Sequence, residues 1–252
     1  MTSVNGDSSY NARTTRRAIG LLLASTGRRG RVDVVQEVET PIGAGFGASA
    51  ASSTSGVYAA AAATGVPLPK KDLALFAHRA EILEQTGLGT VSVVFDTVGA
   101  GAITVPGEPG EAKFVNVLVP KDTKIVTAFV APYDKKDALS SKPVSEKINV
   151  LGRRALEGFL ADPTFGNLAQ QGEAFSTNLG LETPVVKKLI SLAKSAGAAY
   201  ASQNMIGYSV HSIVDADMSG KVARAMASLG GTVRVDTFEV GSKKAGAETT
   251  RS

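Results

Sequence analysis

The sequence PIGAGFGASAASS at residues 41–53 joins two segments of different character through a glycine-rich loop. Residues 32–39 before it are rich in valine and read as a β-strand, and residues 48–63 after it are small helix formers. Strand, glycine loop and helix is the order that a phosphate-binding backbone needs, because glycine adopts positive φ freely and a helix N-terminus leaves N–H groups unpaired. Ser49, in the first predicted helical turn, is placed to turn its hydroxyl toward a phosphate or its metal ion. A glycine turn that only connects a strand to a core helix is the alternative.

The composition is that of a globular protein, and it excludes several kinds of site. The 252 residues are 43% hydrophobic and 20% charged and include no cysteine, which excludes disulfides, thiolate metal sites and cysteine nucleophiles. The two histidines, His78 and His211, lie far apart in sequence and argue against a catalytic zinc site. No apolar run is long enough to cross a bilayer, which predicts a cytoplasmic protein without a membrane partner.

The charge is mildly basic, with a formal net charge of +4 and a pI near 9.2, which suits an anionic substrate or indicates nothing in particular. Arginines crowd the first part of the chain: Arg16, Arg17, Arg28, Arg29 and Arg31. They leave a basic RNA-binding module open as a further class of function. Because no aromatic residues are interleaved for base stacking, a solvated basic face is the preferred interpretation and a nucleic-acid partner is disfavoured.

Periodicity predicts the other elements of the first part of the chain. A helix over residues 72–85 has apolar residues three and four apart, and Gly65 is placed to end the helix before it. On this second helix, His78 and Glu81 share a flank, where they either reach a common ligand or form a solvated pair. The remaining predictions are an irregular start at 1–11, a helix at 12–25, a strand at 31–39, a β-rich segment at 91–98 and a strand at 102–105.

The composition shifts again near residues 111–120, which predicts a domain boundary there. The clearest helix of the second part, residues 184–195, has Thr183 as N-cap, Pro184 at its first position and Gly197 beyond its end. The other predicted elements are strands at 124–131, 206–214 and 232–240 and helices at 145–161, 164–179 and 218–229. The predicted division is a domain at 1–115, a second at 116–240 and a disordered tail at 241–252.

Three windows together resemble the GHMP kinases, the superfamily of galactokinase, homoserine kinase, mevalonate kinase and phosphomevalonate kinase. They are PIGAGFGASAAS at residues 41–52, AHRAEILEQTGLG at 77–89 and GAAYASQNMIGYSV at 197–210. These windows resemble the superfamily's phosphate loop, its metal-binding glutamate with a glycine turn, and its C-terminal glycine-rich motif. Within the superfamily, GFGAS, AHxAE, TGLG and ASxxMxG at this spacing are similar to the archaeal pantoate kinases.

The resemblance implies a fold and an activity. The fold would be α+β with two domains, a ribosomal-protein-S5-domain-2-like N-terminal half lacking its first strands and a ferredoxin-like C-terminal half. The activity would be ATP-dependent phosphorylation of the terminal hydroxyl of pantoate, on the archaeal route to coenzyme A, by a homodimer. A kinase for another small hydroxy acid or alcohol, and a non-catalytic nucleotide-binding relative, are the alternatives.

The resemblance also assigns site residues. The residues that would wrap the triphosphate of ATP are Pro41, Gly43, Gly45, Phe46, Gly47, Ala48 and Ser49. Ser49 and Glu81 would hold Mg²⁺, whose preference for a few hard oxygens and several waters they would satisfy beside the phosphates. The residues implied at the substrate are His78, Ser202, Asn204 and Gly207.

The sequence departs from the family pattern in three places. Thr90 stands where most relatives carry the aspartate of TGLGD, the catalytic base, and Asp96 on the same β-rich segment is a possible substitute. Residues 102–104 lack the arginine that pantoate kinases carry for the substrate carboxylate. The family also opens with a strand and a small-residue loop, and this sequence begins beyond them, so we expect the chain to be truncated or its start codon to be assigned too late.

Overall fold

The computed structural model describes residues 2–28, 31–87, 89–132, 142–205 and 207–241. Helices and strands are mixed along these ranges, as the α+β prediction requires. The helices are α1 (Arg13–Ser25), α2 (Ala48–Thr64), α3 (Lys70–Glu84), α4 (Thr90–Asp96), α5 (Lys142–Ala161), α6 (Phe165–Leu179), α7 (Pro184–Ser195) and α8 (Ala216–Ala227). The strands are β1 (Thr2–Val4), β2 (Val34–Gln36), β3 (Ala100–Val105), β4 (Lys113–Val117), β5 (Thr123–Ala131), β6 (Tyr200–Gln203), β7 (Tyr208–Asp215) and β8 (Arg234–Glu239).

Helices α1, α2 and α3 pack against one another in the N-terminal half. Helix α2 is rich in alanine, serine and glycine, so its neighbours approach closely: a Cβ on Gly56 would lie 2.7 Å from Cγ2 of Thr15 on α1. Gly65 ends α2 in the left-handed conformation, at φ 66°, as predicted. The buried residues that the three helices share are Ala18, Ile19, Leu22, Val57, Tyr58, Ala60, Ala61, Leu73 and Ala80.

Two short sheets accompany these helices, and they correct the predictions for the ends of this half. Residues 1–11 are not irregular throughout, because β1 pairs in parallel with β2. The strand predicted at 31–39 shortens to Val34–Gln36. Strand β4 pairs antiparallel with β3 inside the region that composition suggested as a boundary. The domain division itself stays a prediction.

The segment predicted to be β-rich at residues 91–98 is helical instead, as α4. Its apolar residues Val91, Val94 and Phe95 stand three and four apart and pack against buried Ala50, Ala74 and Ala77. Packing against α2 and α3 therefore decides the conformation over the strand preference of valine, a preference that depends strongly on context. Asp96 accordingly lies at the end of a helix and not on a strand.

The C-terminal half is built around an antiparallel sheet of order β6-β7-β5-β8. With helices between β5 and β6 and between β7 and β8, this is the split arrangement of ferredoxin-like folds, as predicted. One face of the sheet packs against α7 and α8, through Val126, Val210, Leu189 and Val222 among others.

The helix predicted best is α7. Thr183 caps its N-terminus by accepting a hydrogen bond from the N–H of Val186 at 3.3 Å, and Pro184 begins it. Strand β6 was missed because Tyr200–Gln203 is too short to show alternation. The tail predicted at 241–252 lies outside the described residues from position 242 onward. Within the described part of the chain, the helices are all too short or too polar for a bilayer span.

Candidate active site

A cleft of about 630 Å³ opens between the glycine-rich loop and the start of α1. The loop contributes residues 42–43 and 45–49, and the first turn of α1 faces them with the residues just before it. The remaining lining residues are Val4, Gln36, Ser52, Gln85, Thr86 and Pro132. The cleft is therefore formed mainly by the loop, the starts of α1 and α2 and the turn after α3.

The backbone of the loop has the geometry of an anion-binding nest. Gly43, Gly45 and Gly47 have φ of 81°, 83° and 75°, whereas the intervening Ala44 and Phe46 are not among the residues with positive φ. Alternation of this kind turns successive N–H groups toward a common side, where an anion is stabilised. A residue with a Cβ adopts such φ values only with strain, which explains the choice of glycine.

Both helices that begin at the cleft lack a side-chain cap. Helix α2 begins after Gly47 and α1 after Ala12, both in the left-handed conformation and neither with a capping hydrogen bond from its side chain. Neither first turn contains an acidic residue. The first N–H groups and the positive ends of two helix dipoles thus meet one cleft, which favours an anionic ligand.

Three hydroxyl groups that line the cleft and one carboxylate are linked by short side-chain contacts. Ser49 Oγ donates to Glu81 Oε1 at 2.6 Å, and Thr86 Oγ1 donates to the same oxygen at 3.3 Å. Thr86 Oγ1 lies 3.2 Å from Thr14 Oγ1 on α1. The structure thus brings Ser49 of α2 and Glu81 of α3 together, 32 positions apart in sequence.

Glu81 is buried, with 1% of its surface exposed. Its second oxygen, Oε2, has no hydrogen-bond partner among the described residues. A Cβ on Gly87 would lie 2.6 Å from Oε2, so a side chain at that position would displace the carboxylate from where it lies. A buried carboxylate oxygen without a partner is unfavourable, and a cation would remove that penalty.

This pair of oxygens fits magnesium. Ser49 Oγ and Glu81 Oε1 lie 2.6 Å apart, and a hydroxyl and a carboxylate are hard oxygen ligands of the kind that Mg²⁺ prefers. No group of three or more histidine, aspartate and glutamate side chains that could hold a metal alone occurs in the part of the chain that the structure describes. A metal here would therefore need further oxygens from a ligand and from water, as Mg²⁺ at nucleotide phosphates does.

The structure separates the two residues considered for the catalytic base. Thr90 begins α4 and lies against the loop, with its Cγ2 3.1 Å from where a Cβ on Gly47 would stand. Asp96 is at the other end of α4, where its Oδ2 accepts a hydrogen bond from the N–H of Gly110 at 2.9 Å. Asp96 holds a surface loop and is not among the residues that line the cleft.

The other predicted residues lie around the cleft and behind it. Phe46 and Ala48 line it, whereas Pro41 is buried beside the loop. His78 is buried on α3, one turn before Glu81, and does not line the cleft. It is therefore not part of a solvated pair.

Ser202, Asn204 and Gly207 lie behind the loop, on its sheet side. A Cβ on Gly45 would be 3.1 Å from Cβ of Asn204, and Gly207 packs against the carbonyl of Ala44. Ser202 and Asn204 are buried, and neither lines the cleft. Their role as substrate contacts stays a prediction.

The N-terminal arginines are engaged within the fold. Arg17 pairs with Glu84 at 2.8 Å, Arg31 pairs with Asp33 at 2.9 Å, and Arg28 donates to the carbonyl of Gly65. The interpretation of these arginines as a solvated basic face stays a prediction. Arg29 lies outside the described residues.

Sequence reasoning missed the residues that α1 brings to the cleft. Tyr10, Asn11 and Arg13 line it, and the exposed Arg13 adds positive charge opposite the loop. The sequence predicted a helix at 12–25, but nothing local says that its start faces the glycine loop or lacks a side-chain cap. That juxtaposition is produced by the packing of α1 on α2.

Residues 13–97 match the sequence profile of the GHMP kinases N terminal domain. These residues are thus similar to that domain, and the fold of the whole described chain is similar to that of solved phosphotransferases. Among solved structures, it is similar to a phosphotransferase related to the CoA biosynthesis pathway, with a TM-score of 0.82 and 23% identity. That similarity covers 96% of this chain and 79% of the other.

Two curated relatives are kinases with different substrates in their names. A mevalonate kinase of Pyrococcus horikoshii is 26% identical over 197 residues, 73% of this chain and 59% of the relative. A pantoate kinase of Thermococcus kodakarensis is 31% identical over 157 residues, 60% of this chain and 49% of the relative. The chain therefore matches only about half to three fifths of the length of these relatives.

Proposed function

We propose that the chain is a phosphotransferase that uses ATP and Mg²⁺ to phosphorylate a hydroxyl group of a small molecule, with pantoate or a similar hydroxy acid as the acceptor. The observation that carries the proposal is the 2.6 Å contact between Ser49 and Glu81 at the mouth of α2. It places a hydroxyl and a buried carboxylate beside an uncapped helix start. The relationship to the GHMP kinases supports the same conclusion.

The loop and the helix start would bind the phosphates. The N–H groups between Gly43 and Gly47 and those of the first turn of α2 would hold the phosphate oxygens, and Arg13 would add charge from the other wall. Ser49 and Glu81 would hold Mg²⁺. When bound, the metal neutralises charge on the transferred phosphoryl group.

Phosphoryl transfer depends chiefly on positioning and charge stabilisation, so the reaction does not demand a strong general base. Thr90 cannot accept a proton near neutral pH, and Asp96 is held by Gly110. We therefore propose that this chain works without a carboxylate base and orients the acceptor hydroxyl beside the loop. The expected consequence is a rate that shows no titration of a catalytic carboxylate.

Pantoate is proposed as the acceptor on the relatives' names and the sequence windows. The pantoate kinase match is the more identical of the two curated relatives, and the solved phosphotransferase is related to CoA biosynthesis. The mevalonate kinase match covers more of this chain. Mevalonate is itself a hydroxy acid, so it is the second acceptor to test.

The test is ADP release from ATP and Mg²⁺ with pantoate, mevalonate and homoserine as acceptors. We expect turnover that depends on one acceptor, and a loss of roughly a hundredfold or more in Ser49→Ala, because a charge-stabilising group is lost. Ser55→Ala is the matched control, since Ser55 is an exposed serine of the same helix that bonds only to its own helix backbone. ATP binding without turnover on any acceptor would indicate a non-catalytic relative, and wild-type turnover in Ser49→Ala would refute the site.

A further inference from the structure

The carbonyl of Ala44, in the middle of the glycine-rich loop, is held by the four-stranded sheet. Ser209 Oγ on β7 donates a hydrogen bond to it across 165 positions of sequence. Gly207 packs on the same carbonyl so closely that a Cβ there would lie 2.5 Å from the oxygen. Ala44 and Ser209 are both fully buried. The contact is therefore sheltered from water and strong for a neutral hydrogen bond.

The hydrogen bonds behind Ser209 have one consistent direction. A carbonyl only accepts, so the Ser209 proton points to Ala44, and Ser209 Oγ must accept from Asn204 Nδ2 at 2.8 Å. The amide oxygen of Asn204 then faces His211 Nδ1 at 2.6 Å, which must carry a proton. His211 Nε2 is left as the acceptor for Ser202 Oγ at 3.3 Å.

This series also explains why Ser202 is not a nucleophile. A serine, a histidine and an asparagine in this order resemble the arrangement that activates serine or cysteine in hydrolases. Ser202 is 4% exposed and does not line the cleft, so its hydroxyl lacks the open approach that nucleophilic attack requires. The series ends instead on the backbone of the loop.

We propose that Ser209 and His211 are positioning residues that fix the peptide plane between Ala44 and Gly45. A trans peptide directs its C=O and N–H to opposite sides. With the carbonyl held toward the sheet, the N–H of Gly45 points away from Ser209, and Gly45 lines the cleft. His211 acts on the loop by donating from Nδ1 to Asn204 Oδ1, which holds the Asn204 amide that in turn donates to Ser209. The conformational claim stands on the contacts alone, whereas its effect on catalysis rests on the proposed function.

The first test compares Ser209→Ala with Ser212→Ala. Ser212 is equally buried on the same strand, but it faces Met226 on the other side of the sheet. We expect amide hydrogen exchange in residues 42–47 to rise at least about tenfold in Ser209→Ala and to stay unchanged in Ser212→Ala. If the exchange of the loop in Ser209→Ala equals that of the wild type, the proposal is wrong whether or not the protein is a kinase.

The kinetic arm of the same comparison depends on turnover. We expect Ser209→Ala to raise the KM for ATP about tenfold while kcat changes less than about threefold, because a misplaced N–H weakens phosphate binding. A roughly tenfold fall in kcat with an unchanged KM for ATP would contradict the positioning role. If the wild type releases no ADP, the proposed function fails, and the exchange data still decide the conformational claim.

The second test asks whether the histidine acts through its donor. His211→Asn keeps an N–H donor near the place of Nδ1, whereas His211→Leu keeps bulk without a donor. We expect the asparagine variant to retain slow exchange in residues 42–47 and the leucine variant to match Ser209→Ala. Equal behaviour of the two variants, with unchanged melting temperatures, would remove His211 from the proposal.

Discussion

Two pairs of helices begin in opposite ways. Helices α6 and α7 begin after Thr164 and Thr183, whose hydroxyls accept hydrogen bonds from Asn167 and Val186 N–H groups at 3.2 and 3.3 Å. Helices α1 and α2 begin after Ala12 and Gly47, with no side-chain cap, and open on the cleft. A capped start is complete by itself, whereas an uncapped one leaves donors for a ligand. Helices α3, α4 and α8 also begin without a side-chain cap, but their starts do not line the cleft, so α1 and α2 are distinguished by an uncapped start together with a position on the cleft.

The largest expected effect is a loss of activity on substitution of Glu81, which lies beside the uncapped start of α2. Glu81→Gln keeps the shape of the side chain but removes the charge that would face the metal. We expect activity to fall roughly a hundredfold or more, with a melting temperature equal to or above that of the wild type, because a buried, incompletely paired carboxylate is unfavourable.

Glu84→Gln, three residues later on α3, is the control for Glu81→Gln. Glu84 pairs with exposed Arg17, so its loss should change activity and stability little. ADP release and thermal unfolding measure both variants. A large loss of stability in Glu81→Gln would show that the carboxylate serves the fold.

The next effect compares two glycines with the same strain. Gly45 and Gly65 have φ of 83° and 66°, so alanine at either position is unfavourable by about 1 kcal/mol. Gly45 lies in the cleft against Asn204, whereas Gly65 has open space around it. We expect Gly45→Ala to raise the Kd for ATP about tenfold and Gly65→Ala to leave it unchanged. Isothermal titration calorimetry with ATP and Mg²⁺ measures both Kd values, and equal Kd values for the two variants would contradict the prediction.

A smaller effect is expected at the capped start of α7. Thr183→Ala removes the acceptor for the Val186 N–H and should lower the free energy of unfolding by about 1 kcal/mol, which is about 2–4 °C in melting temperature. ATP affinity should not change, because this helix start does not line the cleft. Differential scanning calorimetry together with ATP titration checks both parts.

The smallest effect concerns pH. Burial lowers the pKa of His211 below its ordinary value of 6.5, and the charge of Glu173, itself paired with Lys194, opposes that shift in part. Below pH 6.5 the unfolded chain therefore binds a proton at His211 that the folded chain does not. The contribution of the neutral His211 to the free energy of unfolding is complete above that pH and is lost as the pH falls toward the folded pKa. Between about pH 7.5 and about pH 5.5, His211→Asn should show a smaller fall in melting temperature than the wild type. Parallel curves for the two proteins would contradict this.

The sequence predicted what depends on neighbours in the chain. Thr183 and Pro184 predicted the start of α7, and Gly65 predicted the end of α2, because helix capping depends on residues that are neighbours in sequence. The β preference of valine predicted a strand at residues 91–98, but the segment is helical as α4 because Val91 and its apolar neighbours pack against α2 and α3, which the local sequence does not reveal.

The candidate site divides in the same way. Gly43, Gly47 and Ser49 are recognisable in one continuous stretch, and the resemblance added Glu81. The first turn of α1 and the contact of Ser209 with Ala44 involve residues far apart in sequence. No local pattern encodes such contacts, since they follow from how the sheet and the helices pack.

The contact between Ser209 and Ala44 bears on when the site forms during synthesis. A chain that has emerged only as far as residue 200 contains every residue of the family profile, yet the Ala44 carbonyl still lacks its donor. A buried carbonyl left in that state is unfavourable by about 1–3 kcal/mol, so the loop would sample other shapes until β7 joins the sheet. Nucleotide affinity would then appear late on the ribosome, after most of the C-terminal half has folded.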